Sequence, residues 1–369
     1  MKALGIIFSN IHDKEIKSLT KHRTLASVPF GGRYRLIDFP LSNMVNSGVS
    51  KVGIITKEHY QSLMDHVGNG KAWDLARKNG GLILLPPFAG NQTDLYKSRF
   101  EAICHIEDFL AKSEEPLVIM SDCDNVCNVD FNGLIKEHLN ANADISVAFS
   151  RKELEPAEKE YTAFTIDKQN RVVKSEKSTK LKGQQNVYAH MLVMGRKFLL
   201  DIIQNAAENG IKSFSNDILT QTQKFKIFAY EISGYYAQIE DLLSYYRISM
   251  DLMNCDTRQH LFYNNGFNIY TRVRDSAPLA ATNTANIKNS LVADGCIIEG
   301  EVENSILFRG CKVAKGARIT NSILFQDTQV GQNSTLNCVI SDREVVIKDK
   351  RHLSGHETYP QYIVRQTVI

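Results

Sequence analysis

The last third of the chain repeats a short motif, and this repeat restricts the possible fold more than any other feature. A polar residue, a small residue and aliphatic residues recur at about one turn of a three-sided coil, in Asn289-Ser290-Leu291, Asn304-Ser305-Ile306-Leu307, Asn321-Ser322-Ile323-Leu324 and Asn337-Cys338-Val339-Ile340. Glycines stand where such a coil would turn its corners, at Gly295, Gly310, Gly316 and Gly331. The period and the residue types agree independently. They therefore predict a left-handed parallel β-helix of hexapeptide repeats rather than a chance succession of short strands.

Coils of this type also occur in acyltransferases, where a histidine base faces the cleft that binds acyl-CoA. The repeats contain no histidine, and His352 and His356 follow them in a polar tail. The sequence therefore favours a structural or assembly role for the coil over acyl transfer.

The first part of the chain has a different pattern. Residues 3–8, 51–55, 116–120 and 143–149 form short apolar runs of the kind found in buried parallel strands. Residues 94–112 show the spacing of an amphipathic helix. These elements predict an α/β domain with a Rossmann-like, mostly parallel mixed sheet. We expect this domain to span residues 1–255, followed by a linker at 256–286 and the coil at 287–369.

Composition excludes several classes of protein. Two domains suit a chain of 369 residues, and a net charge of +3 gives no indication of a nucleic-acid partner. Apolar runs stay well short of the roughly 20 residues that a membrane span needs, so we expect a cytoplasmic protein. The seven cysteines are scattered, and Cys123 and Cys127 lack the second pair that a zinc site needs.

A block near the start of the chain carries a family resemblance. Val28-Pro29-Phe30-Gly31-Gly32-Arg33-Tyr34-Arg35 is followed by Ile37-Asp38-Phe39-Pro40-Leu41-Ser42-Asn43. This block resembles the start of the bacterial glucose-1-phosphate adenylyltransferases, and the resemblance extends over almost the whole chain. It implies a nucleotidyltransferase domain before the coil, and Mg²⁺-dependent transfer from ATP to glucose 1-phosphate as the activity of the family.

The phosphate-binding loop of that family is degenerate here. In the family, a Gly-Gly-x-Gly-Thr-Arg-Leu turn follows the first strand, because glycines let the backbone approach the triphosphate closely. Residues 9–16 contain no glycine, and Asn10 and Asp13 lie within this loop. Glu15 stands at the position of the arginine, and Leu25 at that of a later lysine. We therefore expect this loop to bind a triphosphate poorly, since a cation has become an anion.

The metal and sugar positions are also altered. By resemblance, Asp124 matches the first magnesium ligand, although an acid after a strand is equally a turn or capping residue. Gln238 stands at the second aspartate, so a metal ligand is lost and Mg²⁺ binding should be weak or absent. Glu176 and Lys177 match residues of the sugar-phosphate site, or else form a solvated ion pair in a lysine-rich loop. Tyr188 stands at a small serine, and Ser98-Arg99 replaces a Gly-Thr pair.

Site residues are lost while the motifs that support the fold are kept, and this pattern resembles the D-type, regulatory branch of the family. The resemblance implies assembly with a catalytic C-type subunit, as a heterotetramer, and a chain with no catalytic residues of its own. Arg33 aligns with a residue that the family uses for anionic effectors, and Arg35 and His66 could contribute, with a sugar phosphate as the class of effector. Packing at a surface or interface is the alternative role of Arg33. An active transferase that uses Lys14, Arg23 and Asp124 as substitutes is the alternative for the whole chain.

Overall fold

The computed structural model describes residues 2–11, 13–87, 96–155, 159–264 and 266–369. An α/β domain comes first, and its strands are β1 (Ala3–Phe8), β2 (Pro29–Phe30), β3 (Tyr34–Arg35), β4 (Lys51–Ile55), β5 (Gly81–Leu85), β6 (Leu117–Asp122), β7 (Asn125–Cys127), β8 (Ile145–Leu154), β9 (Tyr161–Ile166), β10 (Val172–Ser178), β11 (Gly183–Gly195), β12 (Ile227–Glu231) and β13 (Tyr236–Gln238).

Helices cover both faces of this domain. They are α1 (Lys17–Thr20), α2 (Asp38–Asn46), α3 (Gln61–Val67), α4 (Arg99–Cys104), α5 (Glu107–Ala111), α6 (Phe131–Asn140), α7 (Arg196–Gln204), α8 (Ala206–Asn209), α9 (Leu242–Met250) and α10 (Cys255–Phe262). Single 3₁₀ turns lie at Leu25–Ser27, Lys71–Trp73 and Asp251–Met253, and a π turn at Phe214–Ile218.

The central sheet is mixed, as predicted. Its strands run in the order β10-β9-β11-β6-β1-β4-β5, and β8 joins β11 to β12. Strands β6, β1, β4 and β5 are mutually parallel, and β11 pairs with β6 in the antiparallel direction. Every residue of β1 and β6 is buried, which explains their unbroken apolar sequences. Because the parallel strands end at the same edge, the loops after β1 and β6 meet there.

The predicted helix at 94–112 is only partly described, since its first two residues lie outside the described ranges. The remainder forms two short helices rather than one. Ser98 Oγ accepts the Glu101 N–H and caps α4, and Ile106 N–H donates to Ile103 O, which tightens the chain between α4 and α5.

The C-terminal part is the left-handed parallel β-helix that the repeats predict. Three sheets of five parallel strands form its sides. Its strands are β14 (Ala280–Ala281), β15 (Asn286–Lys288), β16 (Leu291–Val292), β17 (Ile297–Ile298), β18 (Glu301–Glu303), β19 (Ile306–Leu307), β20 (Lys312–Val313), β21 (Arg318–Thr320), β22 (Ile323–Leu324), β23 (Gln329–Val330), β24 (Thr335–Asn337), β25 (Val339–Ser341), β26 (Val346–Ile347), β27 (His352–Ser354) and β28 (Gln361–Ile363). The first of these strands lies ahead of residue 287, where the sequence had placed the start of the coil.

Asparagines at the coil corners explain the repeat. Asn289, Asn304 and Asn321 have φ angles of +40°, +46° and +48°, a region that asparagine enters more readily than most residues. Asn289 Nδ2 donates to Asn304 Oδ1 on the next turn at 2.8 Å. The recurring polar residue therefore sets the corner, and the following aliphatic pairs fill the interior.

The coil and the α/β domain share one hydrophobic core. Phe30 and Tyr245 of the first domain belong to the same buried cluster as Phe325 and Ile340 of the coil. Tyr246 Oη donates to Asn321 O across the boundary at 2.7 Å. The two domains are therefore packed together through side chains from both. Among the described helices, none is long and apolar enough to cross a membrane.

Candidate functional site

The loop after β1 is closed by its own side chains. Ser9 Oγ donates to Ile55 O at 2.8 Å, at the end of the neighbouring strand β4. Asn10 is buried, and its Oδ1 accepts hydrogen bonds from Ser9 Oγ and Tyr96 Oη, both at 3.3 Å. Ser9 and Asn10, the first two residues of this loop, are therefore held by hydrogen bonds to the end of β4 and to Tyr96.

Asp13 fixes the next part of the same loop. Its Oδ1 accepts the Leu25 N–H at 2.8 Å, and its carbonyl oxygen accepts the Thr20 hydroxyl at 2.6 Å. Leu25 is buried in the core. The N–H of Leu25 is thus used inside the protein, and its side chain presents no charge to a ligand.

A cleft of about 200 Å³ lies beside this loop, with acids and bases in equal number on its walls. Its lining residues are Asn10, Ile11, Asp13, Lys14, Glu15, Lys57, Glu58, Tyr96 and Lys97. Lys57 Nζ donates to Tyr96 O at 3.0 Å and lies 5.4 Å from the centre of the Tyr96 ring. A triphosphate is favoured by an excess of positive charge, and the described side chains of this cleft provide no such excess.

The two expected metal positions do meet at the edge of the sheet. Strand β13 pairs with β7, which places Gln238 beside Asn125 and next to Asp124. Gln238 Nε2 donates to Asp124 Oδ2 at 3.0 Å. The amide therefore presents a hydrogen-bond donor to the carboxylate at the place where Mg²⁺ would need a second anionic oxygen.

This donor set does not fit Mg²⁺. The described residues also contain no group of three or more histidine, cysteine, aspartate and glutamate side chains that could hold a metal ion.

An ion pair fills the neighbouring space. Arg99, at the start of α4, donates to both carboxylate oxygens of Asp122, with Arg99 Nε at 2.9 Å from Oδ1 and 2.8 Å from Oδ2, and Arg99 Nη2 also contacts Asp122. Burial alone would lower the pKa of the Arg99 guanidinium, but the charge and hydrogen bonds of Asp122, with help from Asp124, raise it instead. A permanent cation therefore lies beside Asp124.

From the sequence, Arg99 is recognised only as part of the Ser98-Arg99 replacement of a Gly-Thr pair. Its ion-pair partner, Asp122, is not predicted. The available signal was the acid-cysteine-acid run Asp122-Cys123-Asp124 at the end of β6. Two buried acids one residue apart call for a buried cation, because an unpaired charge in the interior is costly.

The sugar-site residues do not form one site. Glu176 and Lys177 are exposed on the edge strand β10, where Glu176 pairs with Lys174 at 2.5 Å and Lys177 with Glu160 at 2.8 Å. Tyr188 is buried on β11, with its ring 5.6 Å from that of Phe164. The bulky tyrosine thus belongs to the packed core beside the cleft, and the charged pair lies in solvent.

The effector candidates, by contrast, are brought together. Arg33, Arg35 and His66 line one cavity between the α/β domain and the coil. Four further arginines reach the same cavity, namely Arg272, Arg274, Arg309 and Arg343. We call the cavity that these six arginines line the arginine cavity.

No local sequence pattern predicts the four added residues. Arg309 and Arg343 come from two different turns of the coil, and the backbone bond from Asp327 N to Arg309 O and that from Glu344 N to Gln326 O stack their corners. Arg272 and Arg274 lie in the segment that joins the domains. Only the folded coil places these arginines beside Arg33.

The arginine cavity carries concentrated positive charge. Burial, and the nearby charge of Arg343, lower the pKa of Arg35 to about 9, and burial and the charge of Arg23 lower the pKa of Arg343 to about 10. Arg35 donates to Ser62 O at 2.5 Å and to Ser62 Oγ at 2.9 Å, so its side chain is held in place. Within the described chain, Arg343 Nε has no hydrogen-bond partner.

His66 stabilises the wall of the arginine cavity through Asp38. His66 and Asp38 are buried, and His66 Nε2 lies 2.6 Å from Asp38 Oδ1, while Asp38 Oδ2 accepts the Arg35 N–H at 3.0 Å. Burial lowers the pKa of His66, although the Asp38 carboxylate opposes this effect. His66 therefore orients the acid that holds the Arg35 backbone.

Comparison with known proteins finds relatives of both domains. A nucleotidyl transferase family model matches residues 13–255, and a model described as GlmU-like, C-terminal hexapeptide matches residues 277–358. The glycogen biosynthesis protein GlgD of Bacillus subtilis (strain 168) is 34% identical over 97% of this chain and 94% of its own length. Glucose-1-phosphate adenylyltransferases of Bacillus mycoides (strain KBAB4) and Bacillus cereus (strain ATCC 10987 / NRS 248) are each 28% identical over 94% of this chain and 93% of theirs. The chain therefore belongs to the bacterial glucose-1-phosphate adenylyltransferase family and, within it, to the D-type branch of GlgD.

Proposed function

We propose that this chain is a regulatory subunit of glucose-1-phosphate adenylyltransferase with little or no catalysis of its own. It would act in the cytoplasm, in glycogen biosynthesis, as part of a heterotetramer with a catalytic C-type subunit. The family reaction joins glucose 1-phosphate to the adenylyl group of ATP and releases pyrophosphate. The observation that carries the proposal is the hydrogen bond from Gln238 to Asp124, because an uncharged amide that donates to Asp124 stands where the family has a second metal-binding carboxylate.

Three further features support the loss of catalysis. The loop residues Asn10 and Asp13 are bonded inside the protein, Leu25 is buried, and the Arg99–Asp122 pair occupies space beside Asp124. Arg23, a substitute cation in the alternative of an active enzyme, is buried against Asp342 of the coil. It cannot reach a phosphate beside the loop without breaking that pair.

The regulatory part of the proposal rests on the arginine cavity. Arginine suits phosphate because its planar group donates paired hydrogen bonds and stays charged. A small polyanion such as a sugar phosphate would offset the repulsion that Arg343 and Arg274 exert on Arg35. We assign this cavity as the effector site. Its enclosed volume of about 30 Å³ admits part of one phosphate group, so the rest of the effector would lie outside it, with Arg33, Arg343 and Arg35 as the main contacts.

Purified samples of this chain, of its C-type partner and of their mixture test the proposal. Pyrophosphate release from ATP and glucose 1-phosphate is measured with and without a sugar bisphosphate. We expect no release by this chain alone and a changed rate or activator response in the mixture. The variant Arg33→Ala should weaken that response, whereas Arg318→Ala, on an exposed coil face beside Glu301, should not. Substantial turnover by the lone chain would instead support an active transferase with an atypical phosphate loop.

A further inference from the structure

One buried ion pair joins the coil to the loop region of the α/β domain. Arg23 Nη2 donates to both oxygens of Asp342, at 2.6 Å and 2.8 Å, and Tyr362 Oη donates to Asp342 Oδ2 at 2.7 Å. Arg23 and Asp342 are 5% and 2% exposed. At this burial neither charge can be solvated by water, so each depends on the other.

The acid of this pair is hydrogen-bonded to a residue in the wall of the arginine cavity. Asp342 Oδ1 accepts the backbone N–H of Arg343 at 2.6 Å, and Arg343 lines the cavity. The positive charges of Arg23 and Arg343 are close enough to repel each other. An anion bound to Arg343 would reduce this repulsion and so lower the electrostatic cost of burying Arg23 beside Asp342.

The base of the pair belongs to the loop region. Arg23 N–H donates to Thr20 O at 3.2 Å, and the Thr20 hydroxyl donates to Asp13 O. Just after Arg23, the Leu25 N–H is held by the Asp13 carboxylate. Residues 13–25 are thus one hydrogen-bonded unit, and Arg23 joins this unit to the coil by a buried ion pair.

We propose that Arg23 and Asp342 are positioning residues that couple anion binding in the arginine cavity to the order of the loop at residues 13–25. This inference rests on the proposed function, because it takes the cavity as the effector site. Binding of a polyanion tightens the pair, and the pair holds the loop in its closed form. The chain thereby passes the effector signal from the domain boundary to the face where the family binds nucleotide.

Hydrogen exchange of the full-length chain tests this coupling, with inorganic pyrophosphate as the probe anion and calorimetry to measure its binding. In the unmodified chain we expect pyrophosphate to slow exchange of the amides at 13–27 by at least about fivefold, the lower end of usual coupling between sites. In Asp342→Asn and in the double variant Arg23→Gln/Asp342→Asn the slowing should be lost, although pyrophosphate still binds. The double variant leaves no unpaired buried charge, so it keeps the test usable if the single variant fails to fold.

Tyr246→Phe is the matched control. It removes another hydrogen bond between the domains, from Tyr246 Oη to Asn321 O, outside the route from Arg343 to Arg23. This variant should keep the full slowing. Loss of the response in Tyr246→Phe as well, or pyrophosphate binding without any slowing in the unmodified chain, would overturn the coupling and leave the effector site intact. Failure of pyrophosphate to bind at all would overturn both.

Discussion

Gln238 Nε2 and Asp124 Oδ2 are joined by a 3.0 Å hydrogen bond at the carboxyl edge of the central sheet. Two carboxylates in these positions would repel each other unless a cation lay between them. The amide removes the need for that cation, so the edge is stable without a metal. A change of one functional group thus separates the stability of the fold from the chemistry of the family.

The variant Gln238→Asp should make stability depend on magnesium. It removes a hydrogen bond to a charged group and adds a second negative charge. We therefore expect the free energy of unfolding to fall by more than about 1–3 kcal/mol. Mg²⁺ should raise the melting temperature of the variant and leave that of the unmodified chain unchanged. Gln238→Ala is the control, since it loses the bond without adding a charge. Equal magnesium responses in all three proteins would contradict the account of this pair.

Arg99→Ala should be strongly destabilising. It leaves Asp122 buried without the cation that balances it, and breaking such a pair costs about 3–5 kcal/mol. The double variant Arg99→Ala/Asp122→Ser should recover part of this loss, as measured by urea unfolding. Arg151→Ala breaks an exposed pair with Glu231 at 3.0 Å and should cost about 1 kcal/mol or less. Similar costs for Arg99→Ala and Arg151→Ala would show that Asp122 is not held as described.

Arg343→Gln should stabilise the chain in buffer without phosphate. Folding lowers the pKa of Arg343 to about 10, so the unfolded chain holds this proton more tightly. The charge of Arg343 therefore costs stability below about pH 10, and this cost decreases as pH rises above that value. We expect the variant to melt higher than the unmodified chain at neutral pH, with a gap that narrows above pH 10. It should also lose most of the stabilisation by pyrophosphate, and a variant that keeps it would argue against Arg343 as an anion contact.

His66 should make the chain sensitive to mild acid. Burial lowers the pKa of His66 below the 6.5 expected for the unfolded chain. As pH falls below 6.5, the unfolded state takes up the proton first, so stability is lost. Between about pH 7.5 and about pH 5, the unmodified chain should lose more stability than His66→Gln, which still donates to Asp38. His356→Gln, at an exposed residue, should behave like the unmodified chain, and an identical pH dependence of all three would contradict the role of His66.

Periodic features were predictable from the sequence because each rests on local rules. The asparagine corners predicted the coil, and unbroken apolar runs such as that at Ala3–Phe8 predicted buried parallel strands. The proximity of Asp124 and Gln238 followed from the family resemblance alone. Their hydrogen bond did not, because it depends on the register of β13 against β7.

Contacts between distant segments were not predictable in the same way. Arg33 reaches the arginine cavity from a turn in the first domain, while Arg309 and Arg343 come from stacked corners of the coil. Arg23 was considered as a substitute phosphate ligand, yet its partner Asp342 lies far along the chain. No local pattern encodes such pairings, since they depend on how the coil packs against the first domain.

The shared core of the two domains limits how this gene can change. Phe325 and Ile340 of the coil complete the cluster that contains Phe30 and Tyr245. A chain cut after the first domain would expose those aromatic side chains to water, so it should aggregate rather than persist as a smaller protein. Substitutions at the nucleotide face remove chemistry one side chain at a time, whereas loss of the coil would remove the protein itself. Descendants of such a chain can therefore lose catalytic residues by substitution, but they cannot lose the coil and stay folded.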